Sequence, residues 1–437
     1  MTDRPSAPRR RGGCRKTAAL TAGAAALWLA LAACGGSGSA GGGPGAGGGS
    51  GSSSPVKVGY LVPLTGVYTS NGASEQNGFK LGLKTFGSSV DGHPIDVTYT
   101  DTQGQPTNAL SSAVQLVTRD HVQIVEGPLL SSETAAVAPY VLGQGVVEDD
   151  LYLASPEQLQ DYMKSHLGFT SDWNGYQPST EGAQWAYQAM HWRHVTVVGL
   201  NISFGWQGVG GFEAEFKKLG GTIDKSIWVP TNTVEMSSYV SSIPSSTQAV
   251  YVVLSGSQAA NFINTYAQFG LKSKIPVMGI TTLTDQAALP AEHPSAALGI
   301  YTASQYCDGL PSGVNQAFAN AYHAAYGEYP SYYSEAGYTK AEILVKALQS
   351  LHGNVSDESA LATAMQQVKI TAPRGPVVLS PATWSPVEDE YICKVETVNG
   401  TLRNVPVLTY PGVQPWGTLS QQVFQADFTK QSSGPPS

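Results

Sequence analysis

The chain has 437 residues, of which 41% are hydrophobic and only 13% are charged, and its formal net charge at pH 7 is −8. This acidic balance argues against nucleic-acid binding, because that function needs a surface rich in lysine and arginine. Roughly 380 residues follow position 54, which is more than a single hydrophobic core usually supports, so we expect two or three domains.

The first 33 residues have the pattern of a bacterial export signal. A basic head that ends at Lys16 is followed by an apolar run from Thr17 to Ala33. The run has about 17 residues, which is short for a bilayer core that needs roughly 20, and it ends in small residues that suit a signal peptidase. We therefore predict a cleaved signal peptide over residues 1–33. No later apolar run reaches the length of a membrane span.

The end of this run, LAAC at positions 31–34, resembles the lipobox of bacterial lipoproteins, in which the cysteine carries the lipid at the start of the mature chain. The following residues are almost entirely Gly, Ser and Ala, and they predict a flexible coil with a typical span of about 25 Å. We expect Cys34 to be lipidated and residues 34–54 to tether an extracytoplasmic protein to the cell membrane. An ordinary signal peptide with an incidental cysteine is the alternative.

From Pro55 onward, short β-rich runs alternate with amphipathic stretches. The first series is VKVGYLVPL, a helix over about 75–85, IDVTYTD, a helix over about 107–119, and VQIVEG. The second is VTVVGL, a helix near 212–219, IDKSIWVP, AVYVVLS, a helix near 259–269, and PVMGI. Alternation at this spacing predicts βαβ units on parallel sheets, and so an α/β fold. Ligands of such sheets bind beyond the carboxyl ends of the strands, so we expect the binding residues in the loops there.

Four segments in this order resemble the type I periplasmic binding proteins of the leucine/isoleucine/valine-binding class. They are VKVGYLVPLTGVYTSNGASEQNGFKLGL, VQIVEGPLLSSETAAVAP, NISFGWQG and YGEYPSYYSEAGYTKAEILVKAL. The resemblance implies two Rossmann-like lobes, joined by three hinge strands, that close on a small solute for the permease subunits of an ABC importer. It also implies a monomer that needs no cofactor. A ligand sensor of the same fold, reporting to a receptor partner, is the alternative.

The resemblance also implies where the lobes begin and end. Lobe 1 would comprise 55–170 plus 305–380, and lobe 2 would comprise 172–303 plus 388–437. Cys307 and Cys393 fall just after the second and third crossings between the lobes, in a compartment where disulfides form. A bridge between the two hinge segments and a pair of free buried thiols both remain open.

The first candidate binding residues lie where the strand VQIVEG leads into a predicted helix that begins near Ser131 and Ser132. Free backbone N–H groups at a helix start, together with hydroxyl groups, favour an anionic or strongly polar ligand group. The resemblance implies that the serine at position 131 binds the carboxylate of the ligand. A helix-capping role for either serine is the alternative.

The resemblance implies further ligand contacts at Tyr152, Ala154, Phe204 and Thr281. Phe204 stands at the place of an aromatic residue that covers the ligand, and Tyr152 and Ala154 lie nearest to pocket positions of the first lobe. Thr281 stands near the position where amino-acid binders of this class carry a glutamate that neutralises the ligand ammonium. Without that acid, the ammonium of an α-amino acid would be desolvated without a partner, which is costly.

The sequence departs from the resembled class at Glu148, Asp149 and Asp150, where an apolar strand is usual. Three successive acidic residues predict a solvated loop. Contact of one of them with a cationic group of the ligand is the alternative.

No enzyme pattern is present, since the chain has no G-x-S-x-G, H-E-x-x-H or phosphate-binding loop. The glycines of residues 208–211 begin like a dinucleotide fingerprint, but Glu213 stands at the place of the third glycine. His191 and His194 lack companion ligands, so we predict that they are surface residues and not a metal site. The sequence therefore predicts a binding protein without catalytic or metal-binding residues.

Overall fold

The structure is a computed structural model that describes residues 54–153, 155–430 and 434–436. The predicted signal peptide, Cys34 and Ala154 lie outside the described residues, as does all but Ser54 of the predicted linker. In the described part of the chain, no helix is long and apolar enough to cross a membrane.

The first half of the described chain forms a six-stranded sheet. Its strands are β1 Val56–Val62, β2 Ser89–Val90, β3 His93–Asp101, β4 Ile124–Glu126, β5 Val147–Tyr152 and β6 Gly168–Trp173. The order across the sheet is β2-β3-β1-β4-β5-β6, and all neighbours are parallel except β2 and β3. The helices between these strands are α1 Thr69–Phe86, α2 Pro106–Gln115, α3 Ser131–Gly143 and α4 Pro156–Ser165.

The rest of the chain builds a nine-stranded sheet. Its strands are β7 His194–Leu200, β8 Thr222–Val229, β9 Ala249–Val253, β10 Val277–Ile280, β11 Tyr301–Ser304, β12 Lys369–Ala372, β13 Gly375–Ser380, β14 Ser385–Val398 and β15 Thr401–Val413. The order is β12-β13-β14-β11-β10-β9-β7-β8, with β15 paired to β14. Strands β7 to β11 are parallel, and β12 to β15 are antiparallel additions. The two sheets with their helices confirm the predicted α/β fold.

Nine further helices accompany the second sheet in the described residues. They are α5 Tyr176–Gln184, α6 Ser203–Lys218, α7 Ser237–Ser241, α8 Ser257–Gln268, α9 Pro294–Ala297, α10 Gly313–Tyr326, α11 Tyr332–Ser350, α12 Glu358–Gln366 and α13 Gln421–Lys430. The helix predicted near 212–219 is therefore longer and begins at Ser203. The glycine-rich residues 208–211 lie inside α6, where a Cβ atom at Gly208 would come within 2.8 Å of the Val253 side chain. Close packing against the sheet explains the glycine there, and the segment forms no phosphate-binding loop.

Helices α1 and α11 approach each other through glycines. A Cβ atom at Gly78 would lie 1.9 Å from the carbonyl oxygen of Ser334, and one at Gly337 would lie 2.2 Å from that of Glu75. Only glycine permits so close an approach of two backbones. This contact fixes the position of α11, whose first residue is Tyr332.

The hairpin β12–β13 belongs to both halves of the molecule. Its backbone pairs with the start of β14 and so extends the second sheet. Its buried side chains, among them Ile370 and Val377, instead pack in the hydrophobic core that contains Val56 and Val58 of the first sheet. Strand pairing assigns this hairpin to the second sheet, whereas core packing assigns it to the first. The lobe boundaries given above therefore stay a prediction.

A disulfide joins Cys307, just after β11, to Cys393 in β14, with the two Cα atoms 6.0 Å apart. Thr302 of β11 lies opposite Cys393 in the sheet, so the bridge ties two segments that are already neighbours. The sequence left open whether Cys307 and Cys393 form a bridge or remain free thiols, and the structure has the bridge.

The acidic run Glu148, Asp149 and Asp150 is not a solvated loop, so that prediction is wrong. The three residues form the middle of β5, and all three are fully buried. Burial is tolerated because Lys340 of α11, also fully buried, lies 3.5 Å from Asp149 Oδ1. Asp150 accepts hydrogen bonds from the Leu151 backbone N–H at 2.9 Å and from a Gln158 side chain at 3.0 Å. The acidic residues therefore belong to the interior of the first half.

His191 and His194 are both exposed, as predicted. The His194 Nδ1 atom lies 3.0 Å from Asp224 Oδ1. In the described part of the chain, no three side chains of His, Cys, Asp or Glu are placed to hold a metal ion.

Candidate functional site

A cavity lies where the ends of β5 and β7 and the loops after β4, β7 and β9 meet the first turn of α11. It is lined by Leu129, Leu130, Ser131, Leu151, Tyr152, Leu200, Ile202, Phe204, Ser255, Tyr332 and Tyr333. The lining comes from both sheets, and it lies beyond the carboxyl ends of their parallel strands, where the α/β fold predicts a ligand.

Ser131 marks the polar end of this cavity. It is the first residue of α3, it is only 4% exposed, and its Oγ atom accepts a hydrogen bond from the Phe204 backbone N–H at 3.2 Å. The N-cap position belongs to Leu130, and no hydroxyl group caps the helix. The capping alternative for Ser131 and Ser132 is therefore excluded. Ser131 leaves its hydroxyl beside the positive end of the α3 dipole, a favourable place for an anion.

Aromatic rings form the opposite walls. The Phe204 ring, which α6 supplies, lies 5.5 Å from that of Tyr152 at the end of β5, and the two meet edge to face. Trp173 packs behind them, with its ring centroid 5.0 Å from that of Tyr152 and 5.8 Å from that of Tyr332. Tyr332 and Tyr333 lie 3.9 Å apart. Rings in such offset and edge-to-face arrangements supply a large apolar area with a fixed shape.

The two halves touch across the mouth of the cavity. The Asn71 amide of α1 donates a hydrogen bond to Ser255 Oγ, after β9, at 3.3 Å, and Ser255 Oγ lies 2.8 Å from the Tyr333 hydroxyl. The Tyr68 hydroxyl donates to Gln258 Oε1 at 3.5 Å. The contacts of Asn71 and Tyr68 join the first half of the chain to the second beside residues that line the cavity.

The side chains that line the cavity are of few chemical types. Among the described residues that line the cavity there is no Asp, Glu, Lys, Arg or His, and the only polar side chains are hydroxyl groups of Ser and Tyr. Burial raises the pKa of Tyr152 well above its usual value, so its hydroxyl stays protonated and can donate a hydrogen bond. Such a lining suits an apolar body with one polar end.

The predicted site residues divide into two groups. Ser131, Tyr152 and Phe204 line this cavity together. Ser132 is half-buried and is not part of the lining, and Ala154 lies outside the described residues. Thr281 lines a smaller, polar cavity nearby, where its Oγ1 atom lies 2.6 Å from Ser304 Oγ.

Sequence reasoning missed several lining residues, of which four carry polar groups that matter for the ligand. Ser255, Tyr332 and Tyr333 line the main cavity, and Asp285 lines the polar one. The segment SYYSEAG entered the sequence analysis only as part of the family resemblance, although two adjacent tyrosines at a helix start were a usable signal. Asp285 follows the strand PVMGI by five residues, and a short helical turn over Thr281–Leu283 carries the chain there.

The family model described as a periplasmic binding protein matches residues 55–401. The chain belongs to this family. Periplasmic binding proteins are non-enzymatic components of ABC transporters that bind small solutes outside the cytoplasm and work with permease subunits.

Several proteins are similar to this periplasmic binding protein over most of its length. "Leu/Ile/Val-binding protein homolog 6" of Brucella melitensis is 26% identical, and the alignment covers 81% of this chain and 91% of that protein. An ABC transporter substrate-binding protein from Sphaerobacter thermophilus is 27% identical, with a TM-score of 0.75 and coverage of 82% of this chain and 98% of that one. A solute-binding protein of an ABC transporter from Rhodopseudomonas palustris BisB5, in complex with 3,4-dihydroxybenzoic acid, is 28% identical, with a TM-score of 0.78 and coverage of 83% and 98%.

Proposed function

We propose that this periplasmic binding protein captures a small aromatic carboxylate and delivers it to the permease subunits of an ABC importer. The observation that carries the proposal is the lining of the cavity, which combines aromatic and aliphatic walls with hydroxyl groups and contains no charged side chain. The apolar walls that Phe204 and the tyrosines form suit the faces of a flat ring, and its carboxylate would meet Ser131 at the start of α3. The R. palustris relative, which holds 3,4-dihydroxybenzoic acid, supports the same class of solute.

A branched-chain amino acid is the second candidate, and the name of the Brucella relative favours it. Its ammonium group sits beside its carboxylate, so both would have to be met near Ser131. No acidic side chain among the described residues lines the cavity there, and an unpaired buried ammonium is costly. The lining therefore supports an aromatic acid over an amino acid.

The exchange of Ser131 for Ala is expected to weaken binding of benzoate or 4-hydroxybenzoate by about one to two orders of magnitude, because a hydrogen bond to a charged group is worth roughly 1.5–3 kcal/mol. Titration calorimetry on the purified body, residues 55–437, measures the affinities. Ser132→Ala is the matched control, since Ser132 is outside the lining, and it should bind as the wild type does. Leucine that binds more tightly than every aromatic acid would contradict the proposal.

We further propose that the protein is a lipoprotein held to the membrane through Cys34. The support is the residue pattern alone: a basic head, an apolar run and LAAC, followed by a Gly/Ser linker. One acyl chain binds membranes only marginally, so a modification that carries two or three chains is what makes the attachment stable. Cys34→Ala is expected to move the protein from the membrane fraction to the soluble fraction in cell fractionation. Retention of the variant in the membrane fraction would refute the anchor.

A further inference from the structure

A second, polar cavity lies next to the proposed solute site and shares one wall with it. The shared wall is Tyr332, which lines both cavities. The second cavity differs in chemistry, because its lining is mostly polar and includes Thr281, Asp285, Ser304, Asp308 and Asn404. One tyrosine side chain therefore stands between an aromatic compartment and a polar one.

Most polar groups of the second cavity are already occupied. Asp308 binds the Arg403 guanidinium and also accepts from the Asn404 backbone N–H at 2.8 Å. The Asn404 amide donates to the Thr284 carbonyl at 2.8 Å, and its oxygen accepts from the Thr284 hydroxyl at 3.2 Å. Ser304 and Thr281 pair with each other. These groups have little capacity left for a ligand.

Asp285 is the exception. Its side chain is 6% exposed, and its Oδ1 atom accepts from the Ala287 backbone N–H at 3.1 Å. Its Oδ2 atom is buried and has no hydrogen-bond partner. Among the described residues that line this cavity, it is the only side-chain oxygen of which this is true. Native proteins keep few buried acceptors without a donor, and those they keep often have a function. The unpaired Oδ2 atom is therefore available to a hydrogen-bonding group of a ligand.

We propose that the two cavities form one ligand cleft and that Asp285 accepts a hydrogen bond from a hydroxyl group carried by the solute on the side opposite its carboxylate. This inference rests on the proposed function, since it takes the carboxylate to lie at Ser131. The far end of an aromatic ring then points past Tyr332 towards Asp285. The α-ammonium of an amino acid cannot reach Asp285 in this way, because it is attached next to the carboxylate. Asp285 is thus the specificity-determining residue that selects hydroxybenzoates over benzoate.

Three matched compounds test the inference by titration calorimetry on the wild type. These are benzoate, 4-hydroxybenzoate and 4-methylbenzoate, the last of similar size to the hydroxy acid but without a donor. We expect 4-hydroxybenzoate to bind about tenfold more tightly than either of the others. This comparison needs no variant, so it stands even where a substitution prevents folding.

The variant Asp285→Ala provides a second test, with the same three compounds. It is expected to abolish the preference for the hydroxy acid while leaving benzoate affinity within about threefold of the wild type. A preference that survives the substitution, or an equal loss for benzoate and 4-hydroxybenzoate, would overturn the assignment of Asp285. If benzoate binds the wild type but the hydroxyl adds nothing, this inference fails alone. If none of the three acids binds, the proposed function fails with it.

Discussion

Replacement of Arg374 by Met is expected to lower the free energy of unfolding by about 3–5 kcal/mol, because it leaves a group of buried carboxylates without their counter-charge. Arg374 lies in the turn between β12 and β13 and is fully buried. Its guanidinium donates to Glu335 of α11 and to Glu388 of β14, both at 2.6 Å. It also donates to the backbone carbonyl of Ser171, in β6, at 2.6 Å.

These partners explain why the loss should be large. Asp172, one residue further along β6, lies 3.6 Å from the same guanidinium. Burial raises the pKa of Asp172 well above its usual value and that of Glu388 to about 8, although the charge of Arg374 opposes both shifts. One arginine therefore ties the last strand of the first sheet to α11 and to the long strand β14.

Urea denaturation followed by tryptophan fluorescence measures the effect on Arg374→Met. Arg119→Met is the matched control, because Arg119 pairs with its neighbour Asp120 at 2.9 Å on the surface, with 68% of its side chain exposed. Exposed pairs contribute little to stability, so the control should unfold as the wild type does. An Arg374→Met protein that unfolds at the wild-type urea concentration would show that the buried group is held together by other contacts.

Much of the fold could be predicted from the sequence, because its evidence is local. The runs VTVVGL and AVYVVLS became β7 and β9, since strand-forming residues bounded by turn signals need no distant partner to be recognised. Ser131 follows a strand of a parallel sheet, where the fold itself places ligands. Its role towards a carboxylate, and the choice of Phe204, came from the resemblance to the binding-protein class and not from local pattern.

The rest depended on residues far apart in the chain. Glu148 to Asp150 look like a solvated segment until Lys340, some 190 positions later, is known to lie against Asp149. Thr281 stands near the place of the usual acid, but a helical turn directs it to the polar cavity and brings Asp285 there as well. Such contacts form only in the tertiary structure, and neither the periodicity nor the composition of the sequence predicts them.

The group around Lys340 gives the second large prediction, and it also makes stability depend on pH. Lys340 is fully buried, with its Nζ atom 3.2 Å from Glu126 Oε2 and 3.5 Å from Asp149 Oδ1. Burial alone would lower the pKa of Lys340, but these carboxylates raise it further than burial lowers it, so the lysine stays charged. A single cation therefore faces several buried acids.

The pKa values of the buried acids near Lys340 are all shifted upwards. Burial raises the pKa of Glu75 to about 7 and the pKa values of Glu126 and Asp150 to about 8, whereas unfolded Asp and Glu titrate near pH 4. Between these values the folded protein holds protons that the unfolded chain releases. The stability these groups contribute is therefore fully present below about pH 4 and is lost as the pH rises through about 7 to 8.

Lys340→Met is expected to cost about 3–5 kcal/mol of unfolding free energy at pH 8, because Glu126 and Asp149 then lose the cation that offsets their charge. The loss should be smaller at pH 5, where those carboxyl groups can take up protons and need no counter-charge. Urea unfolding at the two pH values measures both quantities. Lys346→Met on the same helix is the control, because Lys346 is 46% exposed beside Glu342 and should change stability little at either pH. A loss that is equal at pH 5 and pH 8, or larger at pH 5, would mean that Lys340 stabilises the fold by packing and not by compensating the buried acids.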